Sequence, residues 1–256
     1  MTGATPRVVA VIPARYQSVR FQGKMLAGET GRPLIQHVYE RARAATRVAE
    51  VIIATDDARI ADAARDFGAR VAMTRADHPN GTSRIAEAIE TIPCDVVVNV
   101  QGDEPELEPT LVDAAIDALA ADSTAAVATV ISPFAHEEDP SNPNVVKCVW
   151  AESSVGPRAL YFSRSLIPCN RDGLTAPAAM PMKHVGLYAY RRAFLAEFVR
   201  LAPTPLERTE QLEQLRVLEH GHAIAIAIRT AHFQGIDKPA QYQAFVARWR
   251  AGAKSR

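Results

Sequence analysis

The chain has 256 residues, with 29 Lys and Arg set against 29 Asp and Glu. Its formal net charge is zero, which gives no basic face for nucleic acid or an anionic membrane. Apolar residues make up 48% and charged residues 23%, the composition of an ordinary globular protein with a sizeable core. The cysteines Cys94, Cys148 and Cys169 are odd in number and lack CxxC spacing, so neither a disulfide framework nor a zinc site is expected. The first apolar run, Val8 to Ile12, is too short for a signal or membrane segment. A soluble cytoplasmic protein is the expectation.

Arg7 to Ile12 reads as the first strand, followed by a loop from Pro13 to Lys24 that carries Arg15, Arg20 and Lys24. Leu34, Ile35, Val38 and Ala42 recur at helical spacing, which predicts a helix from Pro33 to Thr46. A strand at Glu50 to Ala54 leads through Thr55-Asp56-Asp57, a good N-cap, into a helix from Ala58 to Phe67 that stops at Gly68. Arg70 to Met73 is a third strand, and a helix after Arg84 is expected to run to Ile92. Val96 to Val100 is a valine-rich run of the kind buried on both faces of a parallel sheet. This alternation of strand and helix predicts an α/β fold, with a doubly wound, mostly parallel sheet of Rossmann-like form.

After a helix at Leu111 to Ala120 and a strand at Ala125 to Ile131 the rhythm changes. Strands at Val145 to Ala151, Ala159 to Ser163 and Lys183 to Tyr190 follow without crossover helices, which suggests an antiparallel layer. Gly173 to Pro181, rich in Ala and Pro, reads as flexible. Helices at Arg191 to Arg200 and Glu207 to Glu219, a strand at Ala223 to Ile228 and a helix at Pro239 to Trp249 complete the chain. The expectation is one domain, 1–256, with an inserted layer at about 133–220.

Three places could carry chemistry. Arg15, Arg20 and Lys24 lie in a strand-to-helix loop, where anions favour helix amides and side-chain cations. The loop has neither GxxxxGK[ST] nor GxGxxG, so it reads either as a triphosphate site built from cations or as a solvated surface. Asp103 follows the Val96 strand through Gly102; it reads as a magnesium ligand or as a helix cap. Asp237, ahead of Pro239, could complete that metal site or cap the final helix. Alternation puts His184, Gly186, Tyr188 and Tyr190 on one strand face, lining either a polar pocket or the edge of a core. Lys183 and Arg164 add charge suited to an acidic substrate, whereas Glu210, Glu213 and Gln214 read as a solvated helix face.

Several separated blocks resemble the 3-deoxy-manno-octulosonate (KDO) cytidylyltransferases. They include Ile12-Pro13-Ala14-Arg15-Tyr16, Gly23-Lys24, Met73-Thr74-Arg75-Ala76-Asp77-His78 and Asn99-Val100-Gln101-Gly102-Asp103-Glu104-Pro105. Asn142-Pro143-Asn144, Tyr161-Phe162-Ser163-Arg164, His184-Val185-Gly186-Leu187-Tyr188 and Leu212-Glu213-Gln214-Leu215-Arg216 continue the series. The resemblance implies a homodimeric nucleotidyltransferase that joins CTP to a 2-keto-3-deoxy sugar acid with Mg²⁺, in lipopolysaccharide synthesis. It places Arg15 and Lys24 on the triphosphate, Arg75 and Gln101 on the cytidine, and Asp103 and Asp237 on the metal. Arg84, Arg164, His184, Tyr188, Glu213 and Gln214 would line the sugar-acid pocket.

The chain departs from that pattern at Phe21-Gln22, where the family reads Leu-Pro. It departs again at Asn80 and Ser83, and at Lys183, where arginine is usual. Lysine keeps the charge but cannot make a bidentate fork to a carboxylate. These changes leave open a related CMP-sugar synthetase acting on another 2-keto acid, such as 8-amino-KDO or a sialic-acid-like acceptor. A noncatalytic nucleotide-binding protein is the rival from a different class.

Overall fold

The computed structural model describes residues 5–173, 180–233 and 235–254. The elements in chain order begin with β1 (Val8–Ala14), α1 (Leu34–Arg43), β2 (Glu50–Thr55), α2 (Ala58–Asp66), β3 (Arg70–Met73) and α3 (Gly81–Ala88). Next come β4 (Val96–Asn99), α4 (Pro109–Ala121), β5 (Ala125–Pro133), β6 (Lys147–Ala151), β7 (Arg158–Ser163) and β8 (Met182–Arg191). The chain closes with α5 (Arg192–Phe198), α6 (Pro205–Glu210), α7 (Gln214–Glu219), β9 (Ala223–Ile228) and α8 (Pro239–Lys254). The flexibility expected over Gly173 to Pro181 falls mainly on 174–179, outside the described residues.

The chain forms two compact units. Met1–Cys94, Asn99–Pro109 and Phe233–Arg256 make the first; Asp95–Val98 and Thr110–His232 make the second.

In the first unit β1 pairs in parallel with β2, and β2 with β3, each through a crossover helix as the alternation predicts. Val8 to Ile12 are all buried, because a strand covered on both faces needs an unbroken apolar run. Each such side chain contributes roughly 1.5–3 kcal/mol. The Asp57 carboxylate accepts from Arg59 N at 3.0 Å and so starts α2, and Gly68, at φ 81°, ends it. Leu34, Ile236, Tyr242, Phe245 and Val246 form a core under α8, with Phe21 packed against it. The Phe21 ring meets Tyr242 edge-on at 5.8 Å, so the loop that lacks the expected proline is anchored by an aromatic contact.

In the second unit the strand order is β4-β8-β5-β9-β7-β6. β8 runs antiparallel to β5 and to β6, β7 antiparallel to β6 and β9, and β5 parallel to β9. The antiparallel character expected where crossover helices are missing is present, and β8 lies between β4 and β5 within the sheet.

The single helix expected from Glu207 to Glu219 is instead broken into α6 and α7. Gln211 takes φ 54°, a left-handed conformation uncommon for a residue with a Cβ. Arg164 explains the break: its Nε donates to the Glu210 carbonyl at 2.8 Å and its Nη2 to the Gln211 carbonyl at 3.4 Å. Those carbonyls would otherwise accept the next helical turn. Such a contact is invisible to helical periodicity.

Candidate active site

The cation-bearing loop of the first unit is closed by a hydrogen bond from Gly23 N to the Tyr16 carbonyl at 2.9 Å. Gly23 has φ 71°, and a Cβ there would meet the Tyr16 ring at 3.2 Å, so glycine is required twice over. The Arg59 guanidinium lies 3.3 Å from the centroid of the Tyr16 ring and forks onto Asp57 at 2.7 and 3.0 Å. A cleft of ≈ 760 Å³ opens here, lined among others by Arg15, Tyr16, Ser18, Gln22, Asp56 and Asp57. Arg15 is steadied at the start of α3, where its Nη2 donates to the His78 carbonyl and, at 3.3 Å, to that of Asn80.

Asn80 and Ser83, two of the departures, cap that helix. Asn80 Oδ1 accepts from Ser83 N at 2.8 Å, and Ser83 Oγ donates to the Asn80 carbonyl at 3.1 Å.

Lys24 organises the ionic centre. Its Nζ lies 2.6 Å from Asp103 Oδ2 and 3.6 Å from Asp237 Oδ1, and donates to the Ile236 carbonyl at 2.9 Å. Arg20 adds a second cation 2.9 Å from Asp237. Asp237 is not the cap of α8, nor does it end a strand; Gln241 Oε1 accepts from the amides of Asp237 and Lys238 instead. Gly102 allows the chain to approach β1, since a Cβ there would sit 3.0 Å from the Pro13 carbonyl and 3.2 Å from Met25. Beside Asp103, burial first and the Asp103 charge second push Glu104 up to about 8. Among the described residues its Oε2 is buried without a hydrogen-bond partner.

The residues fit magnesium. Two carboxylates already converge on one cation, all the donors are oxygen, and Mg²⁺ takes one or two carboxylates together with substrate phosphates. Among the described residues, no group of three or more His, Cys, Asp or Glu could hold a metal by itself.

The other expected nucleotide residues lie in the first unit as well. Arg75 is exposed, with Nε 3.4 Å from Glu87 and 3.6 Å from Asp77. Gln101 Nε2 donates to Asn99 Oδ1 at 3.4 Å. Arg84 departs from expectation: it is fully buried rather than lining a pocket, with Nη1 on Thr74 Oγ1 at 2.6 Å and on Asp56 at 3.1 Å. It thereby fixes Asp56 in the wall of the cleft.

The remaining expected acceptor residues belong to the second unit. The His184 ring lies 5.3 Å from that of Tyr188 and 5.0 Å from that of Phe162, so alternation correctly put His184 and Tyr188 on one face. Burial pushes His184 down to about 3, which makes it a neutral group and not a cation for a carboxylate. Thr129 Oγ1 spends its proton on the Leu187 carbonyl at 2.7 Å, so at 3.0 Å it accepts from His184 Nε2–H. Arg164 faces three backbone carbonyls, those of Pro143, Glu210 and Gln211. Gln214 is buried and Glu213 half-buried around the start of α7.

Lys183 is engaged by a partner absent from the sequence reading. Its Nζ lies 2.6 and 2.8 Å from the two Glu138 oxygens. Glu210, read as solvated, accepts from Ser163 Oγ at 2.6 Å and Arg164 N at 2.9 Å. Lys147 was also missed, although a lysine spaced by two from Val145 and Val149 on an apolar strand face was a visible signal.

A family model described as cytidylyltransferase matches residues 9–224. A 3-deoxy-manno-octulosonate cytidylyltransferase of Geobacter metallireducens is 48% identical over 91% of this chain and 94% of its own length. The protein of that name from Syntrophobacter fumaroxidans is 48% identical over 94% of this chain and 96% of its own. Among solved structures, CMP:2-keto-3-deoxy-manno-octonic acid synthetase complexed with CTP aligns with a TM-score of 0.89 at 40% identity, covering 96% of this chain and 99% of that one. A cytidylyltransferase from Leptospira borgpetersenii, at 15% identity and a TM-score of 0.59, shares the fold. With its loop of cations, its paired carboxylates and these relatives, the chain belongs to the 3-deoxy-manno-octulosonate cytidylyltransferase family of nucleotidyltransferases.

Proposed function

We propose that this enzyme transfers the cytidylyl group of CTP to KDO, giving CMP-KDO and pyrophosphate for lipopolysaccharide synthesis. The carrying observation is the meeting of Lys24 with Asp103 and Asp237, in a chain 48% identical to cytidylyltransferases of that acid.

The anomeric 2-hydroxyl of the acid attacks the α-phosphorus in line. The hydroxyl gives up its proton to solvent, the bond from that phosphorus to the bridging oxygen breaks, and pyrophosphate carries away the electron pair. Such a step needs positioning and charge neutralisation more than covalent catalysis. Arg15 and Lys24 neutralise the triphosphate, and Arg75 and Gln101 hold the cytidine. Arg84 acts through Asp56 and not by direct contact. Arg164, Tyr188, Glu213 and Gln214 serve the acid, with His184 as a neutral partner. Asp103 and Asp237 would hold Mg²⁺, which when bound would polarise the phosphate and lower the pKa of the attacking hydroxyl. No side-chain nucleophile is required. We further propose a cytoplasmic homodimer; no described helix is long and apolar enough to cross a membrane.

The test is pyrophosphate release from CTP and Mg²⁺ with KDO, 8-amino-KDO, a sialic acid or no acceptor. Release with KDO alone is expected. Release with another acid only would move the substrate while keeping the chemistry. Silence with every acid, from folded protein that binds CTP, would overturn the catalytic reading.

A further inference from the structure

The second unit contains a lysine that no catalytic step above uses. Lys147 opens β6 and is fully buried, paired in register with Ser163 on β7 and Lys183 on β8. Its ammonium has three protons and meets three backbone carbonyls: Asn142 at 3.1 Å, Val145 at 2.8 Å and Arg164. Among the described residues no carboxylate lies within ion-pair distance of it; these carbonyls take its three protons, and the Glu210 and Asp139 charges act on it only from farther off. An ammonium buried this way is costly unless every donor is satisfied, and here every donor is.

The consequence is a tie between segments far apart in the chain. The 142–145 loop is held at two of its carbonyls, and Asn142 O also accepts from Val145 N at 3.1 Å. At the third carbonyl the ammonium fixes the backbone of Arg164. The guanidinium of Arg164 then reaches back to Pro143 O at 3.1 Å and across to Glu210 and Gln211, at the break that precedes Glu213 and Gln214. Glu210 completes the arrangement through Ser163 Oγ and Arg164 N. Lys147 therefore stands behind two of the segments to which acceptor binding has been assigned, Arg164 and Glu213-Gln214, without being exposed to the acceptor.

We propose that Lys147 is a positioning residue for the acceptor acid, acting through Arg164 and the 142–145 loop. This rests on the acceptor role given to Arg164, Glu213 and Gln214 above. Removing the ammonium takes a donor from three carbonyls, of which Asn142 O keeps only the Val145 amide, and releases both loops, while the nucleotide residues of the first unit keep their own contacts.

Full-length Lys147→Met and Lys147→Gln are compared with wild type, using whichever acid wild type turns over. Lys147→Met should raise KM for the acid about tenfold or more, with kcat and KM for CTP within about twofold. Lys147→Gln, which keeps two N–H donors, should recover part of that loss. Amide hydrogen exchange at 144–145 and 164–165 should be faster in Lys147→Met. A folded Lys147→Met with an unchanged KM for the acid, or with kcat and both KM values shifting together, overturns the proposal. Should Lys147→Met fail to fold, Glu210→Gln applies the same criterion from the other side of Arg164. If wild type turns over no acid, the cytidylyltransferase reading fails by itself, and unchanged exchange in Lys147→Met is then the result that overturns the tie.

Discussion

An ammonium 2.6 Å from one carboxylate and 3.6 Å from another makes Lys24, Asp103 and Asp237 interdependent. Changing Asp103 to Asn keeps the shape and removes the charge. Loss of several kcal/mol of transition-state stabilisation is expected, about a thousandfold in kcat/KM, with a melting temperature close to wild type. A steady-state assay beside a thermal melt decides the point; full activity in the variant would remove Asp103 from the metal site. Asp103 and Lys24 were legible in the sequence because glycine and proline punctuate their loops. Glu138, Lys147 and Glu210 were not read as functional, since what matters about each is its partner, and those partners are distant in the chain.

At the scale of elements, the close approach of Gly102 to β1 is the sharpest constraint. Gly102→Ala places a methyl group 3.0 Å from the Pro13 backbone carbonyl, which must shift, and 3.2 Å from the end of the Met25 side chain, which can turn aside. Destabilisation of about 1–3 kcal/mol is expected, together with reduced turnover as Asp103 shifts. Urea unfolding of the variant measures the first and pyrophosphate release the second; a variant with wild-type stability would show that the approach is slack. Most strands and helices of the first unit followed from apolar runs, the Asp57 cap and Gly68, but α3 spans Gly81–Ala88 under the Asn80 cap instead of following Arg84 to Ile92. The α6–α7 break did not, because Arg164 of another element takes the carbonyls that a longer helix would use.

For the whole molecule, two groups with large shifts contribute to the response to acid. Asp122, forked by Arg158 at 2.7 and 2.9 Å, is held down to about 2 by that bond and, more weakly, by Thr124. Its contribution is full above the unfolded carboxylate value, about 4, and is lost as pH falls through about 2. His184 works in the same direction, over a higher pH range. Burial holds it neutral down to about 3, while the unfolded chain takes up a proton near 6.5. Stability should therefore begin to fall below about pH 6.5 and go on falling toward pH 3. Urea midpoints at pH 7 and 4.5 test this: the drop should be smaller in His184→Gln than in wild type, and equal drops would remove His184 as its source.

The sequence by itself determined the α/β class, the parallel pairing of β1, β2 and β3, and the cation loop, and it singled out Asp103 and Asp237 as candidate carboxylates. Each of these is written in local periodicity, in turn residues or in a run of neighbouring charges. Only the tertiary structure decided that Lys24 joins Asp103 to Asp237, that Arg84 is buried against Asp56, that Lys183 belongs to Glu138 and that Lys147 ties the 142–145 loop to Arg164. The physical reason is the same in all four. A charged side chain of the interior is defined by the groups that satisfy it, and folding brings those groups from distant parts of the chain.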